Sequence, residues 1–115
     1  MANQRRMYKV AEKIREIVAR ELMHLADPRL TMITITSVIV SPDLRSAKIY
    51  WNVFGDKNRI SEVEDAFKAS AGMFKRSLAK DLKTKFVPDL SFFYDDTLDT
   101  SEEVERLFKK IEGTA

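Results

Sequence analysis

Apolar residues recur every three or four positions from Ser61 to Val87, and polar or charged residues fill the positions between them. The apolar set is Val63, Ala66, Phe67, Ala71, Phe74, Leu78 and Leu82. This spacing predicts a helix with one face in a core. Ser61 and Glu64 have the spacing of a capping box, which marks the start of the helix. Gly72 interrupts the segment, and because glycine is a poor helix former, it predicts a break between two helices.

A second helical pattern runs from Arg5 to about Leu25, and residues 1–4 before it read as a flexible tail. Its apolar positions are Met7, Val10, Ala11, Ile14, Ile17, Val18, Leu22 and Leu25. Asp27-Pro28 ends this helix, because the residue before a proline is disfavoured in the α region.

Three stretches alternate between two faces and predict strands, namely Met32–Val40, Ala47–Phe54 and Leu90–Asp95. In the first, one face carries Ile33, Ile35 and Ile39, and the other carries Thr34, Thr36 and Val38. In the second, the residues expected to face the core are Ala47, Ile49, Trp51 and Val53. The turn at Ser41–Leu44 predicts an antiparallel hairpin between these two strands.

A short final helix is expected from Thr100, which has capping-box spacing with Glu103, to near Gly113. The predicted order is then α-β-β-α-break-α-β-α. It indicates a single α+β domain over residues 1–115, with a three-stranded sheet covered by helices on one face. The segment 100–115 either packs on this body or is mobile.

Composition narrows the class of protein. The chain has 115 residues, of which 44% are hydrophobic, enough for one core. No apolar run approaches the roughly 20 residues of a membrane span, and the N-terminus lacks the apolar region of a secretory signal. Cysteine is absent, which excludes disulfides and thiolate metal sites and fits a cytoplasmic location.

The net charge of +2 conceals a segregation of charge along the chain. Residues 66–88 hold six basic side chains and one acid, whereas residues 89–105 hold seven acids and no base. A basic pole attracts a polyanion. The candidate RNA-phosphate contacts are Lys75, Arg76, Lys80, Lys83 and Lys85, with Arg6, Lys9, Lys13, Arg45 and Lys48 as additional candidates. The alternative for the same residues is an ordinary solvated surface.

The aromatic residues of the predicted strands have two interpretations. They are Tyr50, Trp51, Phe92, Phe93 and Tyr94. Such rings stack on bases in sheet-based RNA binders, or they form a hydrophobic core and sheet surface. The core is the favoured interpretation for Trp51 and Phe92, and the choice stays open for the others.

Other chemistry has little support. We interpret Asp95, Asp96 and Asp99 as solvated or capping acids before a helix, not as a metal site. His24 is the single histidine, and no spacing gives a serine a histidine–acid partner. No catalytic residue, metal, cofactor or small-molecule substrate is therefore predicted.

Several short strings in a fixed order carry a family resemblance. They are Asp27–Leu30 (DPRL), Ile33–Val38 (ITITSV), Val40–Arg45 (VSPDLR), the pair Ala47-Lys48, and Phe86–Phe92 (FVPDLSF) before an Asp-rich loop. Their order and separation over roughly residues 5–111 resemble the ribosome-binding factor A family. The resemblance implies a KH-like fold of the second topological type.

Members of that family have an Ala-x-Gly kink between two helices in place of the Gly-x-x-Gly loop of other KH domains. The matching positions here are Ser70, Ala71 and Gly72, with serine at the first. The resemblance therefore implies an interhelical kink at these positions. The single-strand clamp of ordinary KH modules is not expected, because the chain has no Gly-x-x-Gly.

The resemblance implies a non-enzymatic factor that binds the free small (30S) ribosomal subunit and its 16S rRNA. Such a factor assists late maturation and 5′-end processing of that RNA and is important in the cold. We also expect a cytoplasmic monomer, with no membrane association and with assembly GTPases as further partners. The alternative is a protein-interaction module that docks a ribosomal protein or an assembly GTPase, with incidental RNA contact. A small enzyme is a third, weakly supported class.

Overall fold

The computed structural model describes residues 3–53 and 55–97 of the chain. Its helices and strands are α1 (Gln4–His24), β1 (Ile33–Val40), β2 (Ser46–Val53), α2 (Ile60–Asp81) and β3 (Asp89–Tyr94), with 3₁₀ turns at Pro28–Leu30 and Lys57–Arg59. Strand β2 lies in the centre of the sheet, antiparallel to β1 and parallel to β3. The predicted α+β class with a three-stranded sheet is confirmed. The helix expected after Asp99 lies outside the described residues.

The core lies between the two helices and one face of the sheet. Trp51 is fully buried, and its ring centroid is 5.4 Å from that of Phe67 and 5.2 Å from that of Tyr94. Phe67 of α2 stacks on Phe92 of β3 with centroids 4.4 Å apart. Trp51 and Phe92 thus have the core positions that the sequence favours, Phe92 being half-buried at the edge of the core.

Strand β1 contains a β-bulge. The register of its pairing with β2 shifts between Ile35 and Ser37 and skips Thr36. The Thr36 hydroxyl donates to Asp95 Oδ2 at 2.6 Å, just beyond the end of β3. An extra residue in one strand places the side chain of every later residue on the face of the sheet opposite to the one that regular alternation predicts.

The bulge overturns the predicted faces in the second half of β1. Val38 and Val40 lie on the core face, whereas Ile39 is 56% exposed on the other face. The grouping of Ile39 with the two preceding isoleucines is therefore wrong, because regular alternation contains no signal for an inserted residue. The core face predicted for β2 is confirmed, since all its members are buried, namely Ala47, Ile49, Trp51 and Val53.

Helix α1 begins earlier than predicted. The Asn3 side chain accepts a hydrogen bond from the Arg6 backbone N–H at 2.8 Å, as an N-cap residue does, and the helix starts at Gln4. The flexible tail predicted over residues 1–4 is wrong at Asn3 and Gln4, and residues 1–2 lie outside the described ones. In the described part of the chain, neither helix is long and apolar enough to cross a membrane.

Helix α2 runs without a break from Ile60 to Asp81. It includes the three positions expected to form a kink, which are Ser70, Ala71 and Gly72. The predicted division into two helices is therefore wrong. Phe67 before the glycine and Phe74 after it are both buried. The burial of each side chain contributes about 1.5–3 kcal/mol to the free energy of folding. Their burial outweighs the roughly 1 kcal/mol that a glycine costs inside a helix.

The start of α2 does not use the predicted capping box. The Asp56 side chain accepts from the Asn58 backbone N–H at 2.9 Å and caps the 3₁₀ turn that leads directly into α2. Ser61 consequently lies inside the first turn of the helix. The local hydrogen bond of Asp56 precedes the predicted cap and takes over its role.

The end of α2 also differs from the prediction. The helix ends at Asp81 and not near Val87, because Leu82 adopts an extended backbone and inserts its side chain into the core. Lys83 and Lys85 therefore lie on the loop that leads to β3 and not on a helix. The prediction that Lys83 continues the basic face of the helix is wrong for the same reason.

Candidate nucleic-acid interface

Three segments that are far apart in sequence meet at one end of the molecule. They are the start of α1, the turn between β1 and β2, and the loop between α2 and β3. Together they line a hollow of about 360 Å³. The lining residues are Arg6, Asp43, Leu44, Arg45, Thr84, Lys85 and Phe86. We call it the cationic hollow, because each of the three segments contributes a positively charged side chain to it.

The turn between β1 and β2 is held by its own polar groups. Asp43 Oδ1 accepts from the Ser41 hydroxyl at 2.6 Å and from the Arg45 backbone N–H at 3.0 Å. These two hydrogen bonds lower the pKa of Asp43 below its ordinary value. Leu44, which lies between Asp43 and Arg45 in the turn, has a φ of 61°, in the left-handed region. The Arg45 carbonyl accepts from the Asp89 backbone N–H at 2.9 Å, which joins the turn to the start of β3.

The loop after α2 presents an aromatic ring to solvent. Phe86 is 45% exposed, and the Thr84 hydroxyl donates to its carbonyl at 2.6 Å. The Arg45 guanidinium carbon lies 4.5 Å from the centroid of the Phe86 ring, and Lys85 Nζ lies 5.5 Å from it. Both distances are within the range of cation–π contacts. The buried Pro88 then leads the chain into β3.

A second hollow, of about 440 Å³, adjoins the first through a shared residue. Asn3, Arg5, Arg6 and Lys9 line it at the start of α1. The structure therefore brings together four of the predicted RNA contacts at this end of the molecule, namely Arg6, Lys9, Arg45 and Lys85. Arg5 joins them although the sequence analysis did not select it.

The cations predicted to lie on α2 are exposed, three of them on the helix itself and Lys83 on the loop after it. Lys75 Nζ lies 2.7 Å from Asp89 Oδ1, and the two side chains are 53% and 80% exposed. An exposed ion pair of this kind contributes little to the free energy of folding, so a phosphate group can compete with Asp89 for Lys75. Arg76, Lys80 and Lys83 are exposed and make no ion pair with any residue that the structure describes.

The junction of the two helices uses other charges that the sequence pattern missed. Arg20 of α1 donates to Asp81 of α2 and, at 3.4 Å, to Glu21. The hydrogen bond from Arg20 holds the pKa of Asp81 below its ordinary value. Lys13, a predicted RNA contact, lies 3.4 Å from Glu16 and is 52% exposed. No local spacing could have indicated the pair of Arg20 and Asp81, because the two residues lie on different helices.

Lys48 is separated from the cationic hollow by its orientation. It pairs with Ile39 and Ser91 across the sheet, on the face away from the helices. The same face carries Phe93, which is 43% exposed and whose ring centroid is 5.6 Å from that of Tyr50. The structure therefore places Lys48 on a different surface from Arg6, Arg45 and Lys85.

The remaining candidate groups have local structural roles. Asp95 accepts from the Thr36 hydroxyl and from the Thr97 backbone N–H, and the first of these contributes most to lowering its pKa. His24 Nδ1 lies 2.8 Å from the Arg20 carbonyl at the end of α1. Asp99 lies outside the described residues, and within the described ones no three side chains of metal-ligating type cluster together.

Comparison with known proteins identifies the family of this chain. The sequence profile described as ribosome-binding factor A matches residues 6–108. The chain belongs to the ribosome-binding factor A family. A ribosome-binding factor A of Geobacter sulfurreducens is 37% identical over 108 residues, which are 93% of this chain and 92% of that protein.

Two structural comparisons with ribosome-binding factor A of Thermus thermophilus support the fold. The crystal structure of that protein aligns with a TM-score of 0.68 at 22% identity, over 76% of this chain and 93% of that one. A homology model fitted into the cryo-EM map of a 30S complex of this factor aligns at 0.62 and 22% identity, over 74% and 90%. The expected KH-like fold is confirmed by these structures of ribosome-binding factor A.

Proposed function

We propose that this protein is a non-enzymatic assembly factor that binds the free small (30S) ribosomal subunit through the phosphates of 16S rRNA. The observation that carries the proposal is the convergence of Arg6, Arg45 and Lys85 from three segments on one hollow. In protein–DNA complexes, half or more of the hydrogen bonds go to the sugar–phosphate backbone, and RNA offers the same phosphate groups. The 30S complex of the Thermus relative supports the same class of partner.

The proposed binding mode has a short-range part and a longer-range part. The cations of the hollow line the same cavity, so they can contact one stretch of the RNA sugar–phosphate backbone. Arginine is suited to phosphate because its planar guanidinium group donates two parallel hydrogen bonds. The exposed lysines of α2 extend the positive surface. Lys75 exchanges Asp89 for a phosphate when RNA is bound. No step of this mode makes or breaks a covalent bond.

Family membership supports a finer part of the proposal. The protein assists late maturation and 5′-end processing of 16S rRNA, works as a monomer in the cytoplasm, and has assembly GTPases among its partners. Its importance in the cold has a physical rationale. Incorrect RNA helices dissociate slowly at low temperature, so a protein that holds the correct arrangement matters most there.

The test is gradient co-sedimentation with separated ribosomal subunits over a salt series. The double variant Arg6→Glu/Lys85→Glu should lose binding to the small subunit. The logarithm of the wild-type binding constant should fall linearly with the logarithm of salt concentration, with a slope of about −0.7 to −0.9 per phosphate contact. Charge reversal at exposed positions should leave the fold intact, which the fluorescence of the buried Trp51 can verify.

The matched control is Arg15→Glu/Lys68→Glu. This pair also combines one arginine and one lysine at exposed positions, but neither residue lines the cationic hollow. It should retain most of the binding. Equal binding by the hollow variant and the wild type, or equal loss in both double variants, would refute the assignment of RNA contact to the hollow.

A second candidate function rests on the exposed sheet face. Ile39 and Phe93 are 56% and 43% exposed there, next to Lys48 and Tyr50, and exposed apolar area of this kind is typical of protein docking surfaces. Under this alternative the protein docks a ribosomal protein or an assembly GTPase. Ile39→Asp/Phe93→Asp would then abolish co-sedimentation, whereas Arg6→Glu/Lys85→Glu would leave it unchanged.

A further inference from the structure

The cationic hollow contains an aromatic ring with a guanidinium group over it, and the ring lies outside the hydrophobic core. Phe86 lies outside the buried core, and the Arg45 guanidinium lies 4.5 Å from its ring centroid. Both side chains are exposed. Aromatic rings and guanidinium planes are the surfaces on which proteins stack unpaired RNA bases.

The hollow also has mixed polarity. Arg6 and Lys85 offer positive charge, yet Asp43 places a carboxylate on the same lining. Its Oδ1 atom accepts two hydrogen bonds within the turn, and the Asp43 side chain is exposed to solvent. A site for phosphate alone gains nothing from a carboxylate. The combination suits a ligand that carries an anion, a flat ring and a hydrogen-bond donor together.

The two backbone segments that carry Arg45 and Phe86 are held in place before any ligand arrives. The bond between the Asp89 N–H and the Arg45 carbonyl fixes the base of Arg45 to β3. The Thr84 hydroxyl fixes the loop at Phe86, and the buried Pro88 anchors that loop to the body. A pre-organised site loses little conformational entropy on binding.

We propose that the cationic hollow takes one unstacked nucleotide of single-stranded RNA. The base extends the stack of Phe86 and Arg45, Arg6 and Lys85 contact its phosphate, and Asp43 accepts a hydrogen bond from a hydroxyl or amino group of the nucleotide. The proposal rests on the proposed function, because it specifies what the hollow holds when rRNA is bound. It assigns the contact to the hairpin turn and the loop after α2, away from the positions Ser70–Gly72.

The experiment is a fluorescence-anisotropy titration of a labelled single-stranded RNA, the heptamer of adenylate. Removing a base stack by alanine substitution weakens binding by about 5-fold to about 150-fold, so Phe86→Ala should show a loss in that range. Phe86→Leu should show a similar loss, because it keeps apolar volume without a ring, and Phe86→Tyr should bind like the wild type. Arg45→Lys should weaken binding although it keeps the charge, because lysine has no plane to stack on.

Phe93→Ala is the matched control, since it removes an aromatic ring of similar exposure from the outer face of the sheet. It should leave binding of the heptamer unchanged. Wild-type affinity in both Phe86→Ala and Phe86→Leu overturns the proposal. Equally effective competition by a polyglutamate peptide overturns it too, since the hollow would then hold any anion.

The same variants separate this proposal from the proposed function. If Phe86→Ala binds the heptamer normally but Arg6→Glu/Lys85→Glu loses the small subunit, the nucleotide site is refuted and the assembly function stands. If the wild-type protein binds the heptamer in a Phe86-dependent way but does not co-sediment with small subunits, the nucleotide site stands and the assembly function is refuted.

Discussion

Replacing Gly72 with alanine tests whether α2 is a single helix. Gly72 is an exposed interior residue of α2. Outside the local helix backbone, the nearest atom to an added Cβ would be a terminal nitrogen of Arg76 at 3.7 Å, an ordinary van der Waals distance. Alanine therefore fits, and the free energy of unfolding should rise by about 1 kcal/mol. At about 2.1 cal/mol/K of unfolding entropy per residue, that gain raises the Tm of a 115-residue chain by about 4 °C.

The assay is urea unfolding followed by the fluorescence of Trp51, the single tryptophan, which is fully buried. Ala79 is an exposed residue near the end of the same helix, and Ala79→Gly calibrates the cost of a helical glycine, with an expected loss of about 1 kcal/mol. A lower free energy of unfolding in Gly72→Ala, alongside the expected loss in Ala79→Gly, would show that the native conformation at position 72 does not accept alanine and would refute a regular helix there.

Two further predictions use the same unfolding assay. Asn3→Ala removes the cap of α1 and should lower the free energy of unfolding by about 1 kcal/mol, whereas Asn3→Asp keeps an acceptor and should not; equal stability of all three proteins would contradict the cap. Four carboxyl groups have pKa values below the ordinary 3.8 in the folded state, namely Asp27, Asp43, Asp81 and Asp95. Their contribution to the free energy of unfolding is therefore complete above pH 3.8 and is lost as the pH falls below it. The urea midpoint should therefore drop in acid, less steeply in Asp95→Asn, and a midpoint that rises in acid would contradict the assignment.

Periodic burial accounts for the parts of the fold that could be predicted from sequence. The spacing of apolar residues predicted both ends of α1 to within about one residue, and alternation predicted β2 and its core face. Both patterns succeed because each depends only on neighbouring positions in the sequence. The mixed direction of the sheet was not predictable in this way. The chain between β2 and β3 returns to Arg45 at the start of β2, so the two strands begin side by side and run parallel. The local sequence pattern contains no signal for a contact of this kind.

Three errors have a common physical origin in packing between elements. The bulge at Thr36 is accompanied by a bond to Asp95, a residue far away in sequence. Gly72 stays helical because buried side chains on both sides of it hold α2 on the sheet. The helix ends at Asp81 because the core takes Leu82 in an extended conformation. In each case a tertiary contact outweighs a local preference.

The candidate site was predictable as a set of charges but not as an arrangement. Arg6, Arg45 and Lys85 were selected because they are basic, and nothing in their spacing indicates that they line one hollow. Phe86 was not selected at all. It continues the four-residue spacing of Leu78 and Leu82, which assigns it to the core face of a helix, and only the early end of α2 brings it to the surface.

The segregated charge of the sequence and the hollow of the structure act over different distances. Exposed charges interact over about one Debye length, roughly 8 Å at physiological ionic strength, so Arg76 and Lys80 of α2 can attract a polyanion without a fixed geometry. The hollow requires contact, because stacking and hydrogen bonds act only at short range. Added salt should therefore weaken capture by the α2 cations much more than it weakens the stack of Phe86 and Arg45. Since the two parts lie on different segments, each can be removed by substitution while the other is kept.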